Sequence, residues 1–152
     1  MKSVLAMLAA LLLAGCAGSL RLSEAERLAL YETHAGEPVS SFRMFGQMDG
    51  WTAVGAGTLV IWTRPKEAWL LDLNHACQDL QYATAIALTG IGNVVHARTD
   101  SVLPLGPMVN RVGRMPCRII RIRPLDTRGL RAAQDQLRQV QAAERGQAAP
   151  TP

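Results

Sequence analysis

The chain has 152 residues, of which 49% are hydrophobic and 18% are charged, and its formal net charge is +4. This length allows one domain with a single modest core and excludes a chain with two such cores. Removal of residues 1–15 would take away Lys2 and no acidic residue, so the mature chain would remain mildly basic.

Residues 1–15 have the form of a bacterial lipoprotein signal peptide. Lys2 gives a positive n-region, residues 4–13 form an apolar h-region, and Leu13-Ala14-Gly15-Cys16 is typical of a lipobox. The apolar run is short for a transmembrane helix. In the lipoproteins that this pattern resembles, Cys16 becomes the acylated N-terminus, and two or three acyl chains give a stable membrane anchor. An ordinary secretory signal is the alternative, but no A-x-A cleavage site lies nearby.

The residue after the lipobox indicates the membrane in which the protein is anchored. By the usual sorting rule of such lipoproteins, Ala17 in place of Asp predicts the outer membrane, with the domain facing the periplasm. Nucleic acid is therefore not an expected partner.

Residues 16–37 are predicted to carry the lipid and to form a helical spacer before the globular part. Ser23-Glu24-Ala25-Glu26 has the S-x-x-E pattern of a capping box, so a short helix should begin there and continue to about His34. Gly36 and Pro38 then end this helix.

Residues 38–126 contain short apolar runs separated by Gly, Pro, Asn and Asp, which predicts a β-rich domain. Beside a hairpin, strands are expected at residues 83–88, 94–98, 102–105 and 118–123, with a weaker one at 42–46 or 51–54. The adjacent Ile119 and Ile120 predict a bulge or a half-buried arginine in the last strand. The predicted fold class is mainly β (α+β), a small antiparallel barrel or sandwich flanked by a short N-terminal helix and a C-terminal helix.

The hairpin joins residues 58–63 to residues 68–73. If residues 64–67 form the loop, Trp62 faces Trp69 on one face of the sheet. Both faces are largely apolar, which predicts a central hairpin covered on both sides. The tryptophan pair could form a platform for a sugar or an apolar ligand, or simply pack in the core.

A second helix is predicted over residues 127–145, capped by Asp126 or Thr127. Its apolar residues recur at spacings of three and four, in a stripe that could cover the sheet or pair with another helix: Leu130, Ala133, Leu137 and Val140. Residues 146–152 are expected to be a disordered tail. The oligomeric state stays open.

Two cysteines remain once Cys16 carries lipid. In an oxidising compartment we expect Cys77 and Cys117 to form a disulfide. Closing a loop of about forty residues would contribute roughly 4 kcal/mol in the chain-entropy model. The alternative is a tetrahedral zinc site made of His75, Cys77, His96 and Cys117, although the spacing of the first two is too short for a usual structural pair.

No catalytic residue is assigned, because the sequence lacks G-x-S-x-G, H-E-x-x-H and C-x-x-C motifs. No cofactor is expected, and an enzyme is not the favoured interpretation. Arginines crowd one segment, with Asp126 opposing them: Arg111, Arg114, Arg118, Arg121, Arg123, Arg128 and Arg131. A candidate surface for an anionic envelope component comprises Trp62, Trp69, Arg118, Arg121 and Arg123. The alternative is that the arginines are solvated positions that keep the protein soluble.

Three sequence features resemble a family of small uncharacterised lipoproteins of Gram-negative bacteria, a domain of unknown function. They are the run SFRMFGQMDGW at residues 41–51, the run LVIWTRP at residues 59–65, and Cys77 with the Cys117-Arg118 pair. The resemblance covers about residues 38–126 and implies secretion and a shared disulfide-bearing domain, with no catalytic residue or ligand. The predicted function is a lipid-anchored, non-catalytic domain with a binding or structural role in the cell envelope. The alternative is a small metal-binding protein or hydrolase with a His/Cys site.

Overall fold

An antiparallel β-sheet forms the centre of the computed structural model, which describes residues 22–75, 77, 79–107, 109 and 116–148. The strands are β1 (Ser41–Arg43), β2 (Gly50–Gly55), β3 (Thr58–Arg64), β4 (Glu67–Leu73), β5 (Ala85–Leu88), β6 (Val94–His96), β7 (Ser101–Leu105) and β8 (Cys117–Pro124). Six of them form one curled sheet in the order β2-β3-β4-β8-β7-β5, and β1 pairs with β6. The predicted mainly β fold is confirmed.

The helices are α1 (Glu24–Thr33), α2 (Thr127–Ala148) and a short 3-10 helix at Leu80–Tyr82. The two flanking helices were both predicted. Among the described helices, none is long and apolar enough to cross a membrane. The predicted signal peptide, Cys16, Arg111 and Arg114 lie outside the described residues.

The central hairpin, β3 with β4, has a different register from the predicted one. Arg64 pairs with Glu67, so Pro65 and Lys66 alone form the turn, and the register shifts by one residue at Thr63. The Thr63 hydroxyl donates to Glu67 Oε1 at 2.8 Å and accepts from Trp69 Nε1 at 3.3 Å, which accommodates the extra residue.

Because of this shift, Trp62 lies opposite Ala68, and Trp69 lies opposite Ile61. Side chains alternate along a strand, so the two tryptophans lie on opposite faces of the sheet. The predicted pairing of Trp62 with Trp69 is wrong.

Two apolar clusters cover the hairpin on both faces, as predicted. The inner cluster is closed over by β1 and β6 and consists of Phe42, Leu59, Ile61, Leu71, Leu73, Cys77, Leu80, Ile86, Val95, Val102, Cys117, Ile119 and Ile122. The helix-side cluster consists of Tyr31, Val54, Val60, Ala68, Leu70, Leu125 and Leu130.

Helix α1 begins at the predicted capping box. Glu26 N donates to Ser23 Oγ at 3.2 Å, and Ser23 N donates to Glu26 Oε2 at 2.8 Å. Hydrogen bonds from the Ser23 hydroxyl and backbone N–H lower the pKa of Glu26. Tyr31 is buried in the helix-side cluster, and Glu24 Oε1 accepts from Ala56 N at 2.9 Å. The helix therefore contributes to the core, which its interpretation as a spacer did not anticipate.

Helix α2 is docked through its first two turns. Asp126 Oδ1 caps it by accepting from Arg128 N and Gly129 N, both at 3.1 Å. Leu130 is buried in the helix-side cluster, whereas Val140 is 56% exposed. The helix continues to Ala148, three residues beyond its predicted end, and residues 149–152 lie outside the described chain.

Candidate functional site

A β-bulge in β8 creates the surface that we name the arginine groove. Asp72 of β4 pairs with Arg121, and the next residue, Leu73, pairs with Ile119, so Ile120 is the extra residue. A bulge bends a strand and changes the direction of its side chains. Here Ile120 and Arg121, although adjacent, are both exposed, Ile120 to 44%. The bulge expected from the adjacent isoleucines is confirmed.

The arginine groove has a volume of about 470 Å³ and is lined by Pro38, Val39, Ser40, Ala97, Arg98, Ile120 and Arg121. Main-chain hydrogen bonds hold its walls together: Val39 N donates to Ile122 O at 2.9 Å, Ala97 N to Ser40 O at 2.9 Å, and Arg98 N to Ile119 O at 2.6 Å. Two guanidinium groups thus line a groove with a fixed backbone frame and an apolar wall.

A buried carboxylate fixes the first of these guanidinium groups. Asp72 is 7% exposed and accepts a hydrogen bond from Arg121 Nε at 2.5 Å. The side chain of Arg121 is 49% exposed, and its Nη nitrogens have no hydrogen-bond partner among the described residues. Asp72 therefore orients the guanidinium group and leaves its outer edge available to a ligand.

The neighbouring arginine has a structural role. Arg123 Nη2 donates to Asp72 Oδ2 at 3.1 Å and approaches Glu32 Oε1 at 3.5 Å, which links β8 to β4 and α1. Its side chain is only 13% exposed. Arg123 is the half-buried arginine that the sequence predicted, and two carboxylates, Asp72 and Glu32, engage its guanidinium group. Arg118 is exposed on the same strand.

The second guanidinium group of the groove belongs to a residue with an unusual backbone. Arg98 has a φ of 71°, in the left-handed region that side chains other than glycine rarely adopt. Such conformations persist where the surrounding structure enforces them, and they cluster at functional sites. The hydrogen bond from Arg98 N to Ile119 O helps to hold the conformation.

The two tryptophans do not form a shared platform, and each packs against one of the two apolar clusters instead. Trp69 stacks on Phe42, with ring centroids 5.2 Å apart and an interplanar angle of 18°. Trp62, on the opposite face, lies 5.9 Å below the guanidinium of Arg131 in α2. The altered hairpin register is the physical reason, because it gives each ring a separate packing partner.

The predicted disulfide between Cys77 and Cys117 is confirmed. The two sulfur atoms are 1.96 Å apart, the Cα atoms are 5.8 Å apart, and both residues are buried in the inner cluster. The bond joins the segment after β4 to the first residue of β8. It therefore fixes the strand that carries the arginine groove.

The disulfide also bears on the alternative zinc site. Zinc is bound by thiolates, and the sulfurs of Cys77 and Cys117 are bonded to each other, so the set with His75 and His96 loses two of its four ligands. His96 Nδ1 instead lies 3.5 Å from Asp100 Oδ2. In the part of the chain that the structure describes, no group of three or more His, Cys, Asp or Glu side chains is placed to hold a metal ion.

A second cleft, of about 550 Å³, lies where the first turn of α1 meets β2 and the 3-10 helix. Its charged lining residues are of both signs: Glu24, Arg27 and Asp79. Glu24 is already hydrogen-bonded to Ala56 N. This cleft therefore lacks the consistent positive charge of the arginine groove.

Sequence reasoning identified Arg121 but missed Arg98. The sequence places Arg98 in a short loop between two strands, 23 positions before Arg121. Main-chain bonds to Ser40 and Ile119, together with the pairing of Ser101 with Arg118, bring that loop to β8. The sequence A-R-T-D signals a turn at best, because no residue type there announces a positive φ.

The chain matches no curated protein and no solved structure. A family model described as a family of unknown function, DUF6491, matches residues 1–141, which is most of the chain. The chain therefore belongs to the DUF6491 family of unknown function.

Proposed function

We propose that this protein is a lipoprotein of the Gram-negative cell envelope, acylated at Cys16, anchored in the outer membrane and facing the periplasm. In this proposal it acts by binding an anionic envelope component. The observation that carries the proposal is the buried Cys77–Cys117 disulfide, because such bonds form and persist in exported proteins and are rare in the cytosol. The lipobox also supports the proposal, since it provides for both export and an anchor.

A binding role follows from the form of the arginine groove. Its walls are fixed by main-chain hydrogen bonds, and the guanidinium of Arg121 is oriented before any ligand arrives. Preorganisation of this kind reduces the entropy that binding costs. Anionic groups are the natural ligands for two exposed arginines, and envelope phosphates and carboxylates are the anions that an exported domain meets.

The anchor is tested by metabolic labelling with an alkyne fatty acid in a Gram-negative host. We expect label on the wild-type chain and none on Cys16→Ser, and we expect the wild-type chain in the outer-membrane fraction. The double variant Cys77→Ser/Cys117→Ser is the matched control and should retain the label. Label on Cys16→Ser, or an unlabelled wild-type chain, would reject the lipoprotein assignment.

A structural role in an assembly is the second candidate function. It is favoured by the second half of α2, where Leu137 is half-buried and Val140 is exposed beyond the docked turns. Analytical ultracentrifugation of the wild type and of Leu137→Glu tests it. An oligomer that this substitution dissociates would support the role, whereas monomers in both samples would exclude it.

A further inference from the structure

We propose that the arginine groove binds the phosphate of an anionic phospholipid headgroup in the membrane to which the domain is anchored. The inference rests on the proposed function in one respect, because the Cys16 anchor supplies the membrane. The groove binds the phosphate through two residues, Arg98 and Arg121.

The chemistry of the groove fits a headgroup phosphate. Guanidinium groups match phosphate oxygens through paired charge-assisted hydrogen bonds, and they lose little hydration in doing so. The negative charge of Asp72 is shared with Arg123, so it does not neutralise Arg121 alone. Ile120, Pro38 and Val39 give the groove an apolar side, which suits the glycerol and upper acyl region next to a lipid phosphate.

The register of the sheet places the groove at the end of the sheet where α1 begins. The tether, residues 17–21, links this part of the chain to Cys16 in the sequence. At this end Glu24, the first residue of α1, bonds to Ala56 in the turn between β2 and β3. In the same turn, Gly57 O accepts a hydrogen bond from Leu73 N at 2.9 Å. Leu73 pairs with Ile119, whose carbonyl accepts from Arg98 N, so the start of α1 and the groove share one end of the sheet.

The length of the tether keeps this end near the lipid. Five residues separate Cys16 from Leu22, the first described residue. Even a fully extended chain of that length spans at most about 20 Å. An acylated Cys16 would therefore hold the groove within reach of the headgroup layer, where anionic lipids concentrate negative charge.

The backbone of Arg98 is consistent with a binding role. A residue with a φ of 71° would be more stable as glycine, so an arginine there carries a conformational cost that the fold itself does not require. The described residues contain no hydrogen bond or ion pair from its guanidinium group. A phosphate in the groove would supply the missing partner.

The test uses the full lipidated chain in nanodiscs of phosphatidylcholine, titrated with the water-soluble headgroup probe glycerophosphoglycerol and, separately, with inorganic phosphate. Binding is measured by isothermal titration calorimetry. We expect Arg98→Gly and Arg121→Gln each to weaken binding of glycerophosphoglycerol by about tenfold or more, since hydrogen bonds to charged groups are worth at least that factor. Arg138→Gln, on an exposed turn of α2, is the matched control and should leave the affinity unchanged.

The source of the phosphate is settled by adding phosphatidylglycerol to the nanodiscs. If membrane lipid reaches the groove, it will compete and weaken binding of the soluble probe to the wild type. Equal affinity for inorganic phosphate together with no competition would overturn the lipid assignment in favour of a free anion. Equal affinities in the wild type and both groove variants would overturn the site itself.

These failures are distinct from failure of the proposed function. If Cys16 is not acylated, the labelling experiment shows it directly. The affinity of the groove for glycerophosphoglycerol can then still be measured on the unanchored full chain, with the same three variants.

Discussion

The inner cluster and the outer face of β8 show how one strand can serve two purposes. On the inner side, Ile119 and Ile122 pack against the disulfide and the hairpin in a layer of apolar side chains. On the outer side, Arg121 and Arg123 bind a buried carboxylate, and Arg98 adopts a costly backbone conformation. The inner layer supplies stability, while the outer layer uses some of that stability to hold charged groups in place.

The largest effect should come from breaking the inner side. Replacing Cys77 and Cys117 together by Ala is expected to lower the free energy of unfolding by about 4 kcal/mol, because the unfolded chain regains a loop of about forty residues. Urea unfolding of the variant and of the wild type, each with and without reductant, measures the loss. The two proteins should become similar once the wild type is reduced, and a reductant-insensitive wild type would contradict the expectation.

Breaking the charge network on the outer side should have the next largest effect. Asp72→Asn is expected to destabilise the fold by about 3 kcal/mol, because it leaves Arg123 buried without a full countercharge. Asp135→Asn breaks an exposed ion pair with Arg138 and is the matched control, with a loss below about 1 kcal/mol. Equal losses in thermal or urea unfolding would show that the Asp72 network contributes no more than a surface pair.

The conformational cost at the groove can be measured directly. Arg98→Gly should raise the free energy of unfolding by about 1 kcal/mol, since glycine adopts the left-handed conformation without steric penalty. Arg98→Ala retains that penalty and should not gain stability. Denaturant unfolding of the two variants measures this difference in stability, and a less stable Arg98→Gly protein would mean that the arginine side chain itself stabilises the fold.

The smallest effect should lie outside both layers, at the capping box of α1. The pKa of Glu26 is lowered by its hydrogen bonds with Ser23, so its contribution to stability is present above the ordinary carboxyl pKa. That contribution is lost as the pH falls through the lowered pKa of the folded state. The difference in stability between wild type and Glu26→Gln, followed by unfolding at several pH values, should shrink toward acid; a difference independent of pH would contradict this.

Much of the fold could be predicted from local sequence signals. The capping box, the positions of most strands, the bulge at Ile119 and Ile120, and the pairing of Cys77 with Cys117 are all present in the structure. Each depends on neighbouring residue types, on hydrophobic alternation or, for the cysteines, on the chemistry of the compartment. The residue patterns act over a few neighbouring residues, and the compartment leaves each of the two cysteines only the other as a partner.

The errors came from contacts that such signals do not contain. The hairpin register depends on whether Thr63 pairs across the hairpin or is the extra residue of a bulge. The hydrogen bonds of the Thr63 hydroxyl with Glu67 and Trp69 favour the bulge. The burial of Arg123 depended on the approach of Asp72 and Glu32 from other elements. Half of the candidate site, Arg98, comes from a loop that only tertiary hydrogen bonds bring to β8.

The extra residue at Ile120 changes which alternate side chains of β8 face the inner cluster. Before it, odd-numbered positions such as Cys117 and Ile119 face the inner cluster, and after it the even-numbered Ile122 does so. A regular strand would have sent Arg121 into the apolar layer, where its charge would be prohibitively costly. One inserted residue therefore converts what would be a buried, unpaired cation into part of the wall of the arginine groove, without any additional loop or domain.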